Sequence, residues 1–219
     1  MKRILKFFLC FSVLSALPVA AQTHYESKIE IGAHGGANLS MVSFTPGITQ
    51  GFLLGANGGI NFRYMEENHF GFIVELNLEQ RGWKEDFEKR PFSYSRTVNY
   101  LQLPFLAHIY FGRRGRFFIN AGPSVSVALG ESTSSNFNYA DVGSVEGFPN
   151  RVTYQYGMRV ENRFDYGISG GIGGEFSINR RNALYLGLGS MLRSGRTEHF
   201  RGSNPMSISI SAGYWFRVK

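Results

Sequence analysis

Few residues of this sequence place reactive side chains near one another. His199 lies close to Glu198, Arg196, Arg201 and Ser203, while Asp141, Ser144 and Glu146 lie earlier in the chain. A serine, a histidine and an aspartate could on paper be assembled for acyl transfer, the histidine taking the serine proton. Nothing in the spacing fixes the three together, and a lone histidine among charges is more often solvated or a partner contact. The run Gly167-Ile168-Ser169-Gly170-Gly171-Ile172-Gly173-Gly174 invites a phosphate cradle. It lacks the strand-then-helix setting a cradle needs and carries an alternation on into Glu175-Phe176, so it reads as closely packed strand backbone. His24, His34, His69, His108 and His199 show no ligand spacing on one element, which leaves zinc unsupported. No catalytic, cofactor-binding or metal-binding residue is expected, and the chain reads as non-enzymatic.

The remaining charged residues find their place in strands of period two. Phe70, Phe72, Val74, Leu76 and Leu78 fall on one face, with Glu75, Asn77, Glu79 and Arg81 on the other. Phe52 to Tyr64, Phe117 to Leu129 and Met206 to Lys219 repeat the pattern. Ile29 to Leu39, Tyr100 to Phe111, Tyr166 to Ile178 and Leu184 to Leu192 repeat it more weakly. Eight strands result. Met65-Glu66-Glu67-Asn68, Gly112-Arg113-Arg114-Gly115 and Asn179-Arg180-Arg181-Asn182 read as tight polar turns, whereas Ser40 to Gln50, Gly82 to Arg96, Ser132 to Asn162 and Gly195 to Asn204 are longer connections. The expected fold is all-β: an eight-stranded antiparallel transmembrane up-and-down barrel with short periplasmic turns and long extracellular loops.

A soluble lipocalin-like barrel is the rival, since it also alternates over eight strands. Its polar face would meet water, and here that face is mostly Gly, Ser and Asn with isolated charges, which suits a cramped lumen better. Phe62, Tyr64, Phe70, Phe111, Phe117, Phe176, Tyr214 and Phe216 gather at the turn side, and Trp83, Tyr94, Tyr100 and Tyr166 towards the loops, as two interfacial girdles.

The first residues of the chain fit an exported protein. Met1 to Lys6 is basic, Phe7 to Leu17 is largely apolar, and Val19 and Ala21 offer small residues before Gln22, so 1–21 reads as a signal peptide and 22–219 as the barrel domain. A membrane anchor is the alternative, but the apolar run is short for a spanning helix. Three of the positive charges behind the net +7, Lys2, Arg3 and Lys6, belong to this leader. The single cysteine, Cys10, lies in it too, so disulfides and a thiolate nucleophile are excluded from the rest.

Glu30, Arg63, Glu75, Glu79, Arg81, His108, Glu175 and Arg193 all fall on inward phases. Eight strands enclose a space just wide enough for side chains, so these charges should pair across it rather than line a wide channel. Arg113, Arg114, Arg116, Arg180 and Arg181 mark the turn rim, where lipid headgroups or a periplasmic partner would meet them. Arg96, Arg193, Arg196 and Arg201 mark the loop rim, where lipopolysaccharide phosphates would. No aromatic-basic groove supports nucleic-acid binding.

Particular phrases carry a family resemblance: Gly32-Ala33-His34-Gly35-Gly36-Ala37-Asn38-Leu39-Ser40, Glu75-Leu76-Asn77-Leu78-Glu79-Gln80-Arg81-Gly82, Tyr100-Leu101-Gln102-Leu103-Pro104-Phe105-Leu106, Ala121-Gly122-Pro123 and Ser211-Ala212-Gly213-Tyr214-Trp215-Phe216. With these the chain resembles the outer-membrane β-barrel, or porin-family, domain common in Bacteroidota and often labelled PorT-like. The resemblance spans the whole of 22–219 and implies a fold and an outer-membrane address, without shared catalytic residues or cofactors. One departure is the ending, where Arg217-Val218-Lys219 follow Phe216 instead of a terminal aromatic.

Specific function is expected in Ser132 to Asn162, which mixes Phe137, Tyr139, Val145, Phe148, Val152, Tyr154 and Tyr156 with polar residues, as a binding surface does. Two kinds of role follow. One is a structural or interaction barrel, a subunit of an outer-membrane assembly with an outer-membrane or periplasmic protein partner. The other is a narrow-substrate channel or a surface adhesin or ligand-binding barrel. Outer-membrane lipids and lipopolysaccharide are expected contacts of either.

Overall fold

Alternating side chains commit each segment to extended backbone, because only a strand sends neighbours to opposite faces. The computed structural model describes residues 26–44, 47–88, 90–157, 163–193 and 204–218, with backbone alone for 192, 193, 204 and 205. The strands are β1 (Lys28–Ser43), β2 (Gln50–Gly51), β3 (Leu53–Glu67), β4 (Phe70–Glu85), β5 (Tyr94–Gly112), β6 (Gly115–Ser135), β7 (Phe164–Ser177), β8 (Asn182–Arg193) and β9 (Asn204–Arg217). Their hydrogen-bonded order is β2-β4-β3-β1-β9-β8-β7-β6-β5, and β4 also pairs with β5, so the pairing returns to its start. Every pairing is antiparallel.

The sheet thus has nine strands rather than eight; the additional one, β2, is two residues laid against Lys84 and Glu85 at the end of β4. The long strands also run past their expected ends on the loop side. Gly82–Glu85 and Tyr94–Arg96, expected as loop, are paired strand, and so are Ser132–Ser135. On the other side two of the turns are tighter than expected: β5 and β6 are separated only by Arg113 and Arg114, and β3 and β4 only by Asn68 and His69, with a register shift between Met65 and Glu67 and a positive φ of 80° at His69.

The wall is inside out relative to a water-soluble protein. Leu54 is 71% exposed and Ile60 63%, while Arg63 is 1% exposed and Glu30 3%. A lipocalin would bury the first pair and solvate the second, so the soluble rival falls. Outward aromatics do form a belt near the turns, at Phe62, Phe111, Phe117, Phe176, Tyr214 and Phe216. The expected loop-side girdle does not form as such: Trp83, Tyr94 and Tyr100 are buried inside, and of that group Tyr166 alone faces out. Residues 1–21, expected as a signal peptide, lie outside the described residues.

Candidate functional site

Register builds the interior. Glu30 on β1 stands opposite Arg63 on β3 and opposite Arg217 on β9, and Arg116 on β6 stands opposite Glu175 on β7. Arg63 joins the two groups across the lumen: it binds Glu30 through Nε at 2.8 Å and through Nη2, and Glu175 through Nη1 at 2.5 Å. Arg217 Nη2 reaches Glu30 at 2.7 Å and Arg116 Nη1 reaches Glu175 at 3.0 Å. Each carboxylate is therefore shared by two guanidiniums, which satisfies the anion lone pairs that burial would otherwise leave unpaid. The Arg63 guanidinium also lies 4.3 Å over the Trp215 ring.

His108 extends this layer. Its Nδ1 lies 2.6 Å from Asn120 Oδ1 and its Nε2 3.3 Å from Arg63 Nη1. Since guanidinium can only donate, the network assigns the proton to Nδ1, with Nε2 accepting. Nearer the loops a second layer places Arg81 Nε 2.9 Å from Glu79 and Nη1 3.9 Å from Asp165, with the guanidinium 4.6 Å over Tyr100. Glu79 also accepts from Asn38 at 3.2 Å and Ser207 at 3.0 Å. Between the layers is a polar cavity of about 120 Å³, bordered by His34, Glu75, Asn77, Gln102, Asn120 and Tyr185 among others. Glu75 there accepts from Asn77 Nδ2 at 2.8 Å.

Glycines in the wall make room for the interior rings. A Cβ on Gly173 would meet the end of the Phe118 ring and a backbone oxygen, and one on Gly213 would meet the Tyr185 ring. The glycine run on β7 thus seats aromatics rather than phosphate.

Above the second layer the loops close down. Trp83, Phe87, Tyr94 and Tyr156 form a buried cluster with Phe137 and Phe148 packed against it, Tyr94 and Tyr156 rings 4.6 Å apart. Ser132 to Asn162 therefore does not present most of its aromatics as a binding surface, contrary to expectation: Phe137, Phe148, Tyr154 and Tyr156 pack the strand extensions, Tyr139 is exposed, and 158–162 lie outside the described residues. Glu85 is buried in this cap, accepting from Gln155 Nε2 and Tyr156 Oη, both at 2.7 Å. Burial pushes its carboxyl above the usual 4.5, against the two hydrogen bonds and the nearby Arg151 charge. The Tyr156 hydroxyl is pushed up from 10.0, by burial first and by Glu85 second.

Of the residues read as inward, Glu30, Arg63, His108 and Glu175 meet in one layer, Glu79 and Arg81 in the other, and Glu75 borders the cavity between; Arg193 is described by backbone alone. Two rim assignments are corrected. Arg96 points inward and pairs with Glu131 at 2.6 Å, and Arg116 joins the lower layer. Asp165, Arg217 and Glu85 were missed. Arg116 was legible, since it shares a phase with Phe118 and Asn120. Asp141 and Ser144 are exposed, and Ser144 Oγ donates to the Asp141 backbone oxygen at 2.8 Å; His199 lies outside the described residues. Among the described residues no group of three or more His, Cys, Asp or Glu could hold a metal ion.

The sequence matches the outer membrane protein beta-barrel domain over residues 20–193. Among solved structures, it is similar to the outer membrane protein OprG from Pseudomonas aeruginosa, at 13% identity and a TM-score of 0.58, over 88% of this chain and 97% of that one. It is also similar to Neisserial surface protein A, at 14% identity and a TM-score of 0.50, over 88% and 99%. No curated protein matches the sequence. Identities this low speak for fold, while the family match covers most of the chain. The wall of exposed aliphatic and aromatic side chains around a charged interior is what such a domain requires in lipid. The chain belongs to the outer membrane protein beta-barrel domain family: it is a small β-barrel protein of the outer membrane.

Proposed function

We propose that residues 22–219, after removal of the 1–21 leader, stand in the outer membrane as an eight-stranded up-and-down barrel with β2 as a rim extension. In this reading the short turns face the periplasm and the long connections face outward. The barrel serves a structural or interaction role, as a subunit of an outer-membrane assembly, rather than passing solute. The observation that carries this reading is the filling of the lumen. Arg63, held between Glu30 and Glu175, blocks one level, Arg81 with Glu79 a second, and the aromatic cap a third. A solute would have to part paired, desolvated charges, which is costly. The surfaces left for recognition are the lipid-facing wall and the two rims, where lipid and lipopolysaccharide are the constant neighbours. The Bacteroidota, PorT-like kinship suggested by Gly32–Ser40 and Tyr100–Leu106 is part of the same proposal.

The test is purification of the tagged protein from isolated outer membranes in a mild detergent, with mass and partner identification. A stoichiometric protein partner supports the subunit role. A clean monomer overturns it and leaves the channel and surface-ligand alternatives.

A further inference from the structure

The turn end carries positive charge that the fold does not use. Arg113 and Arg114 form the β5–β6 turn, Arg180 and Arg181 lie in the β7–β8 turn, and all four are exposed. The turns are neighbours, the Ser177 amide donating to the Arg114 carbonyl at 2.9 Å. Neither turn contains an acid, and among the described residues no carboxylate pairs with any of the four, whereas Arg116 and Arg217 beside them are each taken by a glutamate. The exposed acids of this end are Glu26, ahead of β1, and Glu66 and Glu67 of the β3–β4 hairpin.

Beside these turns the outer wall is hollowed. Ala33, Gly35, Ala212 and Gly174 face outward as hollows of one groove over β1, β9, β8 and β7, with Leu186 standing between Ala212 and Gly174, and Tyr214, Leu184 and Phe176 rising along its turn end. Phe176 and Leu184 are 61% and 51% exposed. Leu184 is three residues from Arg181, about 10 Å at the rise of a strand. The groove also reaches Gly115, which follows Arg114 directly.

We propose that this corner of the barrel binds an anionic phospholipid, its phosphate on the arginines of the two turns and one acyl chain in the groove. Guanidinium forks match phosphate oxygens two at a time, and four unpaired ones at the mouth of an apolar groove select an occupant that is anionic at one end and greasy at the other. An acidic protein would complement the arginines but would have no use for the groove, which opens on the lipid-facing wall.

The inference rests on the reading that the turns face the inner, phospholipid leaflet. Its test does not depend on that orientation, which protease access to the turns in intact and permeabilised cells would check separately. The full chain as purified is held in a non-ionic detergent with equal amounts of phosphatidylglycerol and phosphatidylethanolamine of the same acyl chains, and adducts are read by native mass spectrometry. We expect phosphatidylglycerol to be retained about fivefold or more over phosphatidylethanolamine, the scale of one favourable basic contact. R113Q/R114Q/R180Q/R181Q should bring the two lipids to parity, and Gly174→Leu, which projects into the groove, should weaken both. Folding of each variant is checked by heat-modifiable gel mobility. If the quadruple variant does not fold, R113Q/R114Q and R180Q/R181Q are read separately, each expected to lose part of the preference. Equal retention by the wild type, or a preference untouched by the substitutions, would overturn the proposal. So would arginine-dependent recovery of an acidic periplasmic protein without lipid preference.

Discussion

Arg63 is the residue on which the interior turns, because among the described residues it alone joins the Glu30 and Glu175 carboxylates across the lumen. Arg63→Ala leaves both partly unpaired in a buried setting and should destabilise the barrel by about 3–5 kcal/mol, read by urea unfolding in lipid vesicles. Glu85 gives a second prediction at this scale. A carboxyl raised by folding keeps its proton where the unfolded chain has lost it, so its contribution is greatest at or below pH 4.5 and declines as pH climbs through the raised value. Amide-exchange protection of residues 152–157 should therefore fall on that climb in the wild type, and Glu85→Gln should flatten the fall. Much of this was legible: period-two phase alone put Glu30, Arg63, Glu79, Arg81, His108 and Glu175 inside. Arg116 shares that inward phase with Phe118 and Asn120, but standing next to the turn arginines Arg113 and Arg114 it reads as one more rim charge. Asp165 lies on the same inward phase, between outward Phe164 and Tyr166, but an expected strand that begins at Tyr166 leaves it out.

Strand cores were readable, and their ends were not. The alternation in β4 runs clear to Leu78, where outward residues stop being apolar, and then continues through Gln80 and Lys84 with Trp83 and Glu85 inside. Backbone pairing outlasts the lipid-facing pattern that betrays it, so the sequence alone makes the strand extensions look like loop and the aromatics packed on them look like a binding surface. Turn geometry yields its own prediction. Gly112 has a φ of +107°, and a Cβ there would also run into the Gly115 carbonyl oxygen. Gly112→Ala should lower the yield of folded barrel, seen as loss of the heat-modifiable band. Gly130→Ala, with open space around its Cβ, should fold like the wild type.

At the scale of the molecule, an apolar wall, two layers of paired charge and an aromatic cap divide the protein into a lipid-facing exterior and an interior devoted to holding it together. On the proposed reading, such an interior leaves recognition to the wall and rims, where the arginine turns lie. The measurement that tests this most directly is planar-bilayer conductance of the purified, folded protein in symmetric salt. The account predicts a baseline without resolved opening steps. Reproducible single-channel steps in the wild type, abolished on heat unfolding, would contradict it and make the lumen a conducting path.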